Sequence, residues 1–191
     1  MTKSRWIIIF LFALGLIYLL WPGPKNISDF PPIPDSLKSG EPGDTYQSPN
    51  IAAYFSQMDR TQITKFYKDW FTKANFGFIP PIGLNHPPEE SHQFVRDQQT
   101  TTFLEEYVFP LRGSIFVNGY EPVVENKLRN RTSNFYGNNI HINGNFYASK
   151  TTLRYHPVHI AWRLIVYFGI WISLLGIYRL TKKIWRERKD L

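Results

Sequence analysis

The sequence has 191 residues, a formal net charge of +7 and no cysteine. The basic excess lies at the two ends, because residues 22–157 contain 13 bases and 13 acids. A neutral centre argues against a nucleic-acid partner, and the lack of cysteine excludes thiolate, disulfide and cysteine–metal chemistry.

The first hydrophobic segment, WIIIFLFALGLIYLLW at residues 6–21, follows a short basic stretch at 1–5. Its apolar side chains favour membrane insertion by roughly 3 to 7 kcal/mol, at about 0.3 to 0.6 kcal/mol each. A cleavable signal peptide is the alternative, but Trp21 and Pro22 stand where small residues precede a cleavage site. We predict an uncleaved transmembrane helix at 6–21 after a cytoplasmic N-terminus.

Residues 22–45 follow as a proline-rich segment, since seven of the 14 prolines lie between 22 and 50. Proline fixes φ and favours extended structure, which predicts a semi-rigid extracytoplasmic linker. This linker is not expected to be part of a core, but Ile27, Phe30, Ile33 and Leu37 are able to dock it on its own domain, which we favour, or on a partner.

The extracytoplasmic domain is predicted at 46–157, and its first half has helical periodicity. Ser48 and Pro49 fit a helix N-terminus. Apolar residues follow at helical spacing: Ile51, Tyr54, Phe55 and Met58.

A second helix is predicted to begin near Asp59 or Thr61 and to end at Asn75 or Gly77. Its apolar residues recur every three or four positions, which indicates a face buried in the core. They are Ile63, Phe66, Tyr67, Trp70 and Phe71.

The stretch HPPEESH at 86–92 holds two imidazoles and two carboxylates, namely His86, Glu89, Glu90 and His92. These are weak candidates for a metal site, because the spacing matches no helical metal motif. The two prolines instead favour a helix start, with the acids compensating the dipole of its first turn. We therefore expect no metal or cofactor.

The stretch LEEYVFPLRGSIFVNGYEP at 104–122 contains two adjacent carboxylates and an arginine. On a strand, Glu105 and Glu106 point to opposite faces, so they do not converge as an acid–base pair. Arg112 follows a predicted turn at Pro110, across which it is able to pair with one glutamate. We predict a strand–turn–strand meander without catalytic residues.

The second half of the domain has strand patterns. Residues 101–109 fit a strand or a helical stripe, of which we favour the strand. Asn118–Gly119 predicts a two-residue type I′ hairpin. Residues 139–148 alternate as one half-buried strand, or as a second hairpin if Asn143–Gly144 turns. The predicted fold is α+β, with N-terminal helices and a C-terminal antiparallel β-meander between two transmembrane helices.

The second transmembrane helix is predicted at 158–180, followed by a basic cytoplasmic tail at 181–191. The uncharged part alone is too short to span a bilayer, but an arginine near a helix end reaches the headgroups. We expect five residues at the membrane interfaces: Trp6, Trp21, Trp162, Arg163 and Trp185.

Small residues in this second span predict a helix-packing face. Gly169 and Ser173 form a small-xxx-small pair that Gly176 continues. The nearest expected partner is the first span, with small residues Ala13 and Gly15. A second copy or a foreign subunit is the alternative.

Basic residues flank both hydrophobic segments on the side away from the domain. By the positive-inside rule, both termini are predicted to be cytoplasmic and the domain outside. We expect a plasma-membrane protein, with the bacterial inner membrane favoured.

The run FVRDQQTTTFLEEYVFPLRGSIFVNGYEP at 94–122 resembles uncharacterised bacterial two-span membrane proteins. The resemblance covers about thirty residues and implies a bacterial plasma membrane. It implies no activity or site.

These patterns favour a membrane protein whose extracytoplasmic domain binds a partner as an accessory, scaffold or assembly component. Expected partners are membrane lipid and either a membrane or cell-envelope protein or a second copy. One alternative is an extracytoplasmic hydrolase or metalloenzyme with a His/Glu site. Another is a subunit of an oligomeric channel, although the predicted spans offer little polar surface beyond Ser173.

Overall fold

The computed structural model describes residues 3–45, 47, 49–95, 101–129 and 139–188. The chain divides into two compact units. One contains Met1–Leu20 with Val158–Leu191, and the other is Trp21–Pro157. We call them the helical unit and the domain.

The domain contains a six-stranded antiparallel sheet and a separate two-stranded hairpin. The strands in the described part of the chain are β1 Leu37–Lys38, β2 Ile51–Ser56, β3 Ile82–His86, β4 Phe103–Phe109, β5 Gly113–Tyr120, β6 Ile140–Ile142, β7 Asn145–Tyr147 and β8 Ser149–Pro157. The order in the sheet is β1-β2-β8-β5-β4-β3, and β6 pairs with β7. The α+β class is therefore confirmed, with β1 and β3 at the two edges.

The helices are α1 Lys3–Leu20, α2 Arg60–Asn75, α3 Ser91–Phe94, α4 Pro122–Leu128 and α5 Ile160–Glu187. Among the described residues, three short 3-10 helices lie at Ile27–Asp29, Pro42–Asp44 and Pro88–Glu90. α1 and α5 belong to the helical unit, and the others belong to the domain.

The prediction of α2 is confirmed at both ends. Asp59 caps the first turn by accepting from the Gln62 N–H, and the Gln62 side chain accepts from the Asp59 N–H. Gly77, at φ +74°, follows the last turn in the left-handed region that favours glycine. The predicted apolar face packs into the core, because Ile63, Tyr67 and Phe71 are buried.

The proline-rich segment 22–45 packs onto the domain. Phe30 and Ile33 are buried in the main core cluster, and Ile27 packs against it. Leu37 lies in β1 and pairs with Phe55 of β2. The segment therefore docks on its own domain as expected, but its description as a linker outside the core is wrong, because two of its apolar side chains are buried in that core.

The predicted helix after Pro49 is wrong, since residues 51–56 form strand β2. All six residues of β2 are buried, between β1 and β8. A short apolar run buried on both faces has no strand periodicity, so its spacing also fits a helix. Ser48, the predicted cap, lies outside the described residues.

The predicted hairpin at Asn118–Gly119 is also wrong, because both residues lie within β5. Glycine is needed there for a close contact, as a Cβ on Gly119 would overlap the Phe103 ring. The chain turns between β4 and β5 at Leu111, whose φ is +63°. The strand preferred over 101–109 is confirmed as β4, and Asn143–Gly144 turns the β6–β7 hairpin.

In the helical unit, the helix over Ile160–Arg186 is long and apolar enough to cross a membrane. It is the one such helix among the described residues, and the apolar helix at Arg5–Leu20 is shorter. α1 packs against α5 where the Tyr167 hydroxyl donates to the Phe12 carbonyl at 2.6 Å.

Candidate functional site

The edge strand β3 is the most exposed strand of the sheet. It pairs with β4 on one side, and no described strand pairs with its other side. Ile82 is 54% exposed and Leu84 is 45% exposed. Edge strands with exposed apolar residues are sites where another chain adds a strand. We therefore take β3 and the side chains around it as the candidate functional site.

Two adjacent glutamates of β4, next to this edge, contact polar groups on opposite faces of the sheet. As predicted, Glu105 and Glu106 lie on a strand and therefore point to opposite faces. Their cross-strand neighbours on β3 are Asn85 and Leu84. Each glutamate holds a separate polar cluster.

The first cluster, on the α2 face, consists of Arg60, Asn85, Glu105, Tyr107 and Glu121. Arg60 contacts Glu105 Oε1 through Nε at 2.9 Å and Nη2 at 2.8 Å. Its Nη2 also donates to Asn85 Oδ1 at 3.0 Å, and the Tyr107 hydroxyl donates to Glu105 Oε2 at 2.6 Å. The cluster thus ties the start of α2 to both β4 and β3.

Electrostatics of the first cluster follow from partial burial. The pKa of Tyr107 is raised above its usual range, mainly by burial and secondly by the hydrogen bond to Glu105. Burial also raises the pKa of Glu121, opposed by the Arg60 backbone N–H that donates to it at 2.6 Å. The buried tyrosine therefore stays protonated and donates its hydroxyl to Glu105.

The second cluster lies on the opposite face around Phe116. His86 Nε2 is 3.0 Å from Glu106 Oε2, and the His86 ring contacts the rings of Phe94 and Phe116. Phe94 stacks on Phe116, with ring centroids 5.1 Å apart. His86 therefore connects the edge strand to a small aromatic group.

His156 and Arg154 of β8 complete this second cluster. The His156 ring contacts the Phe116 ring edge-on, and Arg154 Nη1 donates to the carbonyls of Phe94 and Val95. Burial lowers the pKa of His156, as does the nearby Arg154 charge, whereas the Phe94 carbonyl and Glu106 raise it. The neutral ring is therefore favoured at this position.

The four weak candidates for a metal site lie on different elements of the fold. His86 ends β3 and contacts Glu106, whereas Glu89 and Glu90 lie in the 3-10 helix Pro88–Glu90. His92 Nδ1 contacts the Glu89 carbonyl oxygen at 2.9 Å. Across the described ranges, no three His, Asp or Glu side chains are arranged to hold a metal ion. The helical start predicted after His86 is confirmed.

Arg112 has an environment that the sequence did not predict. It is 2% exposed, and its guanidinium donates to the carbonyls of Trp21 and Pro22 and to Asn75 Oδ1. The predicted pairing with a glutamate is therefore wrong. A Cβ on Gly23 would lie 2.8 Å from Arg112 Nη2, so glycine is needed for this approach.

In the helical unit, the two glycines of the predicted small-residue face do not contact α1. A Cβ on Gly169 or Gly176 would meet no atom within 4 Å. α1 instead packs at Gly15, where a Cβ would lie 2.5 Å from the Tyr167 hydroxyl oxygen. The two glycines therefore have no contact with the first span, and packing of Gly169, Ser173 and Gly176 on another helix stays a prediction.

Arg163, predicted at the membrane interface, contacts the ends of both helices. Its Nε donates to the Val158 carbonyl at 2.8 Å, and Nη1 donates to the Leu19 carbonyl at 3.3 Å. The indoles expected at the interfaces are exposed: Trp6, Trp21, Trp162 and Trp185. Their place in a membrane stays a prediction.

Comparisons with protein-family models, curated proteins and solved structures give no match to this chain. The resemblance to uncharacterised bacterial membrane proteins therefore stays a prediction. The class of the protein is defined by its own structure, an α+β domain with an antiparallel sheet and a C-terminal apolar helix.

The edge strand β3 was not predicted from the sequence, although its residues have a recognisable strand pattern. Ile82 and Leu84 alternate with Gly83 and Asn85, and proline pairs stand on both sides of the run. Alternation bounded by prolines indicates a short edge strand.

Proposed function

We propose that the protein is a two-span membrane protein whose extracytoplasmic domain binds a partner protein as an accessory, scaffold or assembly component. Both termini are cytoplasmic in this proposal, and the membrane is a plasma membrane, with the bacterial inner membrane favoured. The partner is a membrane or cell-envelope protein that offers an extended segment to strand β3.

The observation that carries partner binding is the open edge of β3. Main-chain hydrogen bonds along an edge provide affinity, and alternate side chains provide specificity. Ile82 and Leu84 lie two residues apart and so share a face of the strand. A partner strand that covers these exposed side chains removes apolar surface from water, which favours association.

The edge is held in place before a partner arrives. Arg60 fixes Asn85 from the α2 face, and Glu106 contacts His86 from the opposite face. Pairing with β4 runs along the whole of β3, from Ile82 to His86. A fixed edge loses less conformational entropy on binding than a free segment does.

Two spans are supported by the lengths and packing of α1 and α5. α5 meets the length and composition of a membrane-crossing helix. The apolar part of α1, residues 6–20, is about 23 Å long at 1.5 Å per residue, and a hydrocarbon core of about 30 Å accommodates such a length by local thinning. Rings of α1 and α5 pack together through Phe12, Tyr167 and Trp171.

The first prediction tests the edge by crosslinking in native membranes. A photoreactive probe on Leu84→Cys should form a defined protein adduct, because a bound strand lies against this residue. The chain has no native cysteine, so the label is confined to the chosen position. Leu128→Cys is the control, since Leu128 is 70% exposed and lies outside the sheet.

The yield of the adduct should fall several-fold in a chain that carries both Ile82→Lys and Leu84→Cys, because the lysine places a charge at the edge. Circular dichroism of that variant should match the parent, as Ile82 is exposed. An adduct of equal yield at Leu84 and Leu128, or one insensitive to the lysine, contradicts the proposed function.

A further inference from the structure

An exposed apolar loop lies between α2 and β3. Phe78 is 79% exposed, Ile79 is 42% exposed, and Pro80 is also exposed. Gly77 ends α2 in the left-handed region, so the chain leaves the helix directly before Phe78. This loop places its largest apolar side chains away from the domain core.

The loop lies at the end of the sheet where β8 finishes. Pro157 pairs with Gly113, and Gly113 pairs with Phe109. Ile82 pairs with Val108, the residue before Phe109, so β3 begins at this same end. Across four strands about 4.8 Å apart, the start of β3 is about 14 Å from Pro157.

Trp21 lies at this end as well. Its ring is 5.9 Å from the ring of Phe76, which is 5.6 Å from the ring of Phe109. The Trp21 carbonyl accepts from Arg112 in the β4–β5 turn. An aromatic row therefore connects Trp21 to the strand end and to the segment that precedes Phe78.

The covalent chain links this end closely to the apolar helices. Two residues, Val158 and His159, separate Pro157 from the first residue of α5. Such a link spans at most about 11 Å. Trp21 follows the last residue of α1 directly. If α5 crosses a membrane, as the proposed function on which this step rests requires, Pro157 and Trp21 are each joined by a short link to a segment at that membrane.

We propose that Trp21, Phe78, Ile79 and Pro80 form a membrane-inserting surface, here called the Phe78 surface. Tryptophan and other aromatic residues favour the headgroup level of a bilayer, and apolar side chains enter the boundary with the acyl chains. The occupant is the lipid of the membrane that holds α5. Insertion gives the domain an attachment to lipid that is additional to the two chain links.

Lipid fits this surface better than a protein partner because of its position. The Phe78 surface lies at the tethered end, whereas Leu84 lies further along β3 and away from that end. The short link from Pro157 to α5 keeps lipid within reach of this end of the sheet, so lipid is the surrounding that the chain itself supplies.

The second prediction tests insertion with the full chain in vesicles of phosphatidylcholine and phosphatidylglycerol. Single cysteines at Phe78→Cys, Leu128→Cys and Ile172→Cys carry an environment-sensitive fluorophore. Nitroxide lipids and a water-soluble quencher then report lipid and water contact. The lipid quencher should act several-fold more strongly on Phe78 than on Leu128, and the soluble quencher should show the reverse.

Leu128 is a matched control because it is apolar and exposed, but lies towards the other end of the sheet. β5 runs about 24 Å from Gly113 to Tyr120 at about 3.4 Å per residue. α4 begins at Pro122 and has seven residues, about 10 Å in length, which is too short to bring Leu128 back.

Three outcomes overturn the proposal. A Phe78 probe as open to water as the Leu128 probe, with Ile172 quenched by lipid, shows that anchoring is intact and the surface is not inserted. A Phe78 probe protected from both quenchers shows that protein, a second copy or another chain, covers it. An Ile172 probe that lipid does not quench removes α5 from the membrane and so overturns the proposed function as well.

Discussion

The two faces of the six-stranded sheet are built from alternate residues of the same strands but are packed differently. The face against α2 contributes to a core cluster of 14 buried residues, and its carboxylate Glu105 pairs with the permanent cation of Arg60. The other face has a buried cluster of four, and its carboxylate Glu106 pairs with His86. Imidazole charge depends on pH, whereas guanidinium charge does not. The α2 face therefore holds the larger apolar core and a guanidinium–carboxylate pair, whereas the opposite face holds a smaller core and an imidazole–carboxylate contact beside the open edge.

The largest expected difference between the two faces is the loss of unfolding free energy when one phenylalanine on each face is replaced by alanine. Phe71→Ala removes a ring that packs on Phe30, Phe109 and Tyr155, and should lower the free energy of unfolding by about 4 to 5 kcal/mol. Phe116→Ala on the opposite face should cost less, about 3 kcal/mol. Urea unfolding of the full chain in detergent, followed by fluorescence, measures both values. Equal losses would contradict the assignment of stability to the α2 face.

A smaller contrast is expected between the two glutamates at pH 8. Glu105→Gln weakens charge-assisted bonds to Arg60, and should cost about 1 kcal/mol after allowance for the partly exposed guanidinium. Glu106→Gln should cost less than about 0.5 kcal/mol, because Glu106 contacts the His86 ring alone, whereas Glu105 accepts from both Arg60 and Tyr107. Denaturation curves of the two variants provide a matched comparison. A larger loss for Glu106→Gln would reverse the distinction between the faces.

The smallest expected effect is the pH dependence from His156. Burial lowers the pKa of His156 in the folded state below its ordinary 6.5, so the unfolded chain binds more protons than the folded chain. The contribution of His156 to the free energy of unfolding should therefore fall as pH drops below 6.5. His156→Gln should flatten that part of the profile, measured from denaturation midpoints at successive pH values. An unchanged slope would assign the acid sensitivity to other groups.

Local signals explain which elements the sequence predicted. Asp59 and Gln62 cap α2 within one turn, and the alternation of strand side chains alone separates Glu105 from Glu106. Such features depend on residues a few positions apart. The helix α2, the strand β4 and the divergence of the acids were therefore predictable.

Features that depend on distant residues were not predictable in the same way. Gly119 lies within a strand because the Phe103 ring occupies the space of a side chain, which overrides the local turn preference of Asn–Gly. Arg112 contacts the Trp21 carbonyl, 91 positions away in the chain. The partners that complete each polar cluster, Arg60 for Glu105 and His86 for Glu106, come from other elements.

A hydrogen bond between the first and last segments of the domain bears on where the chain tolerates insertions and deletions. The Tyr155 hydroxyl donates to the Pro24 carbonyl at 3.0 Å, so the intervening chain forms a closed loop fastened near both ends. Insertions or deletions at surface turns inside that loop leave the spacing of its fastened ends unaltered. The Asn143–Gly144 turn is one such position, where the length of the domain is free to vary independently of the helices on either side.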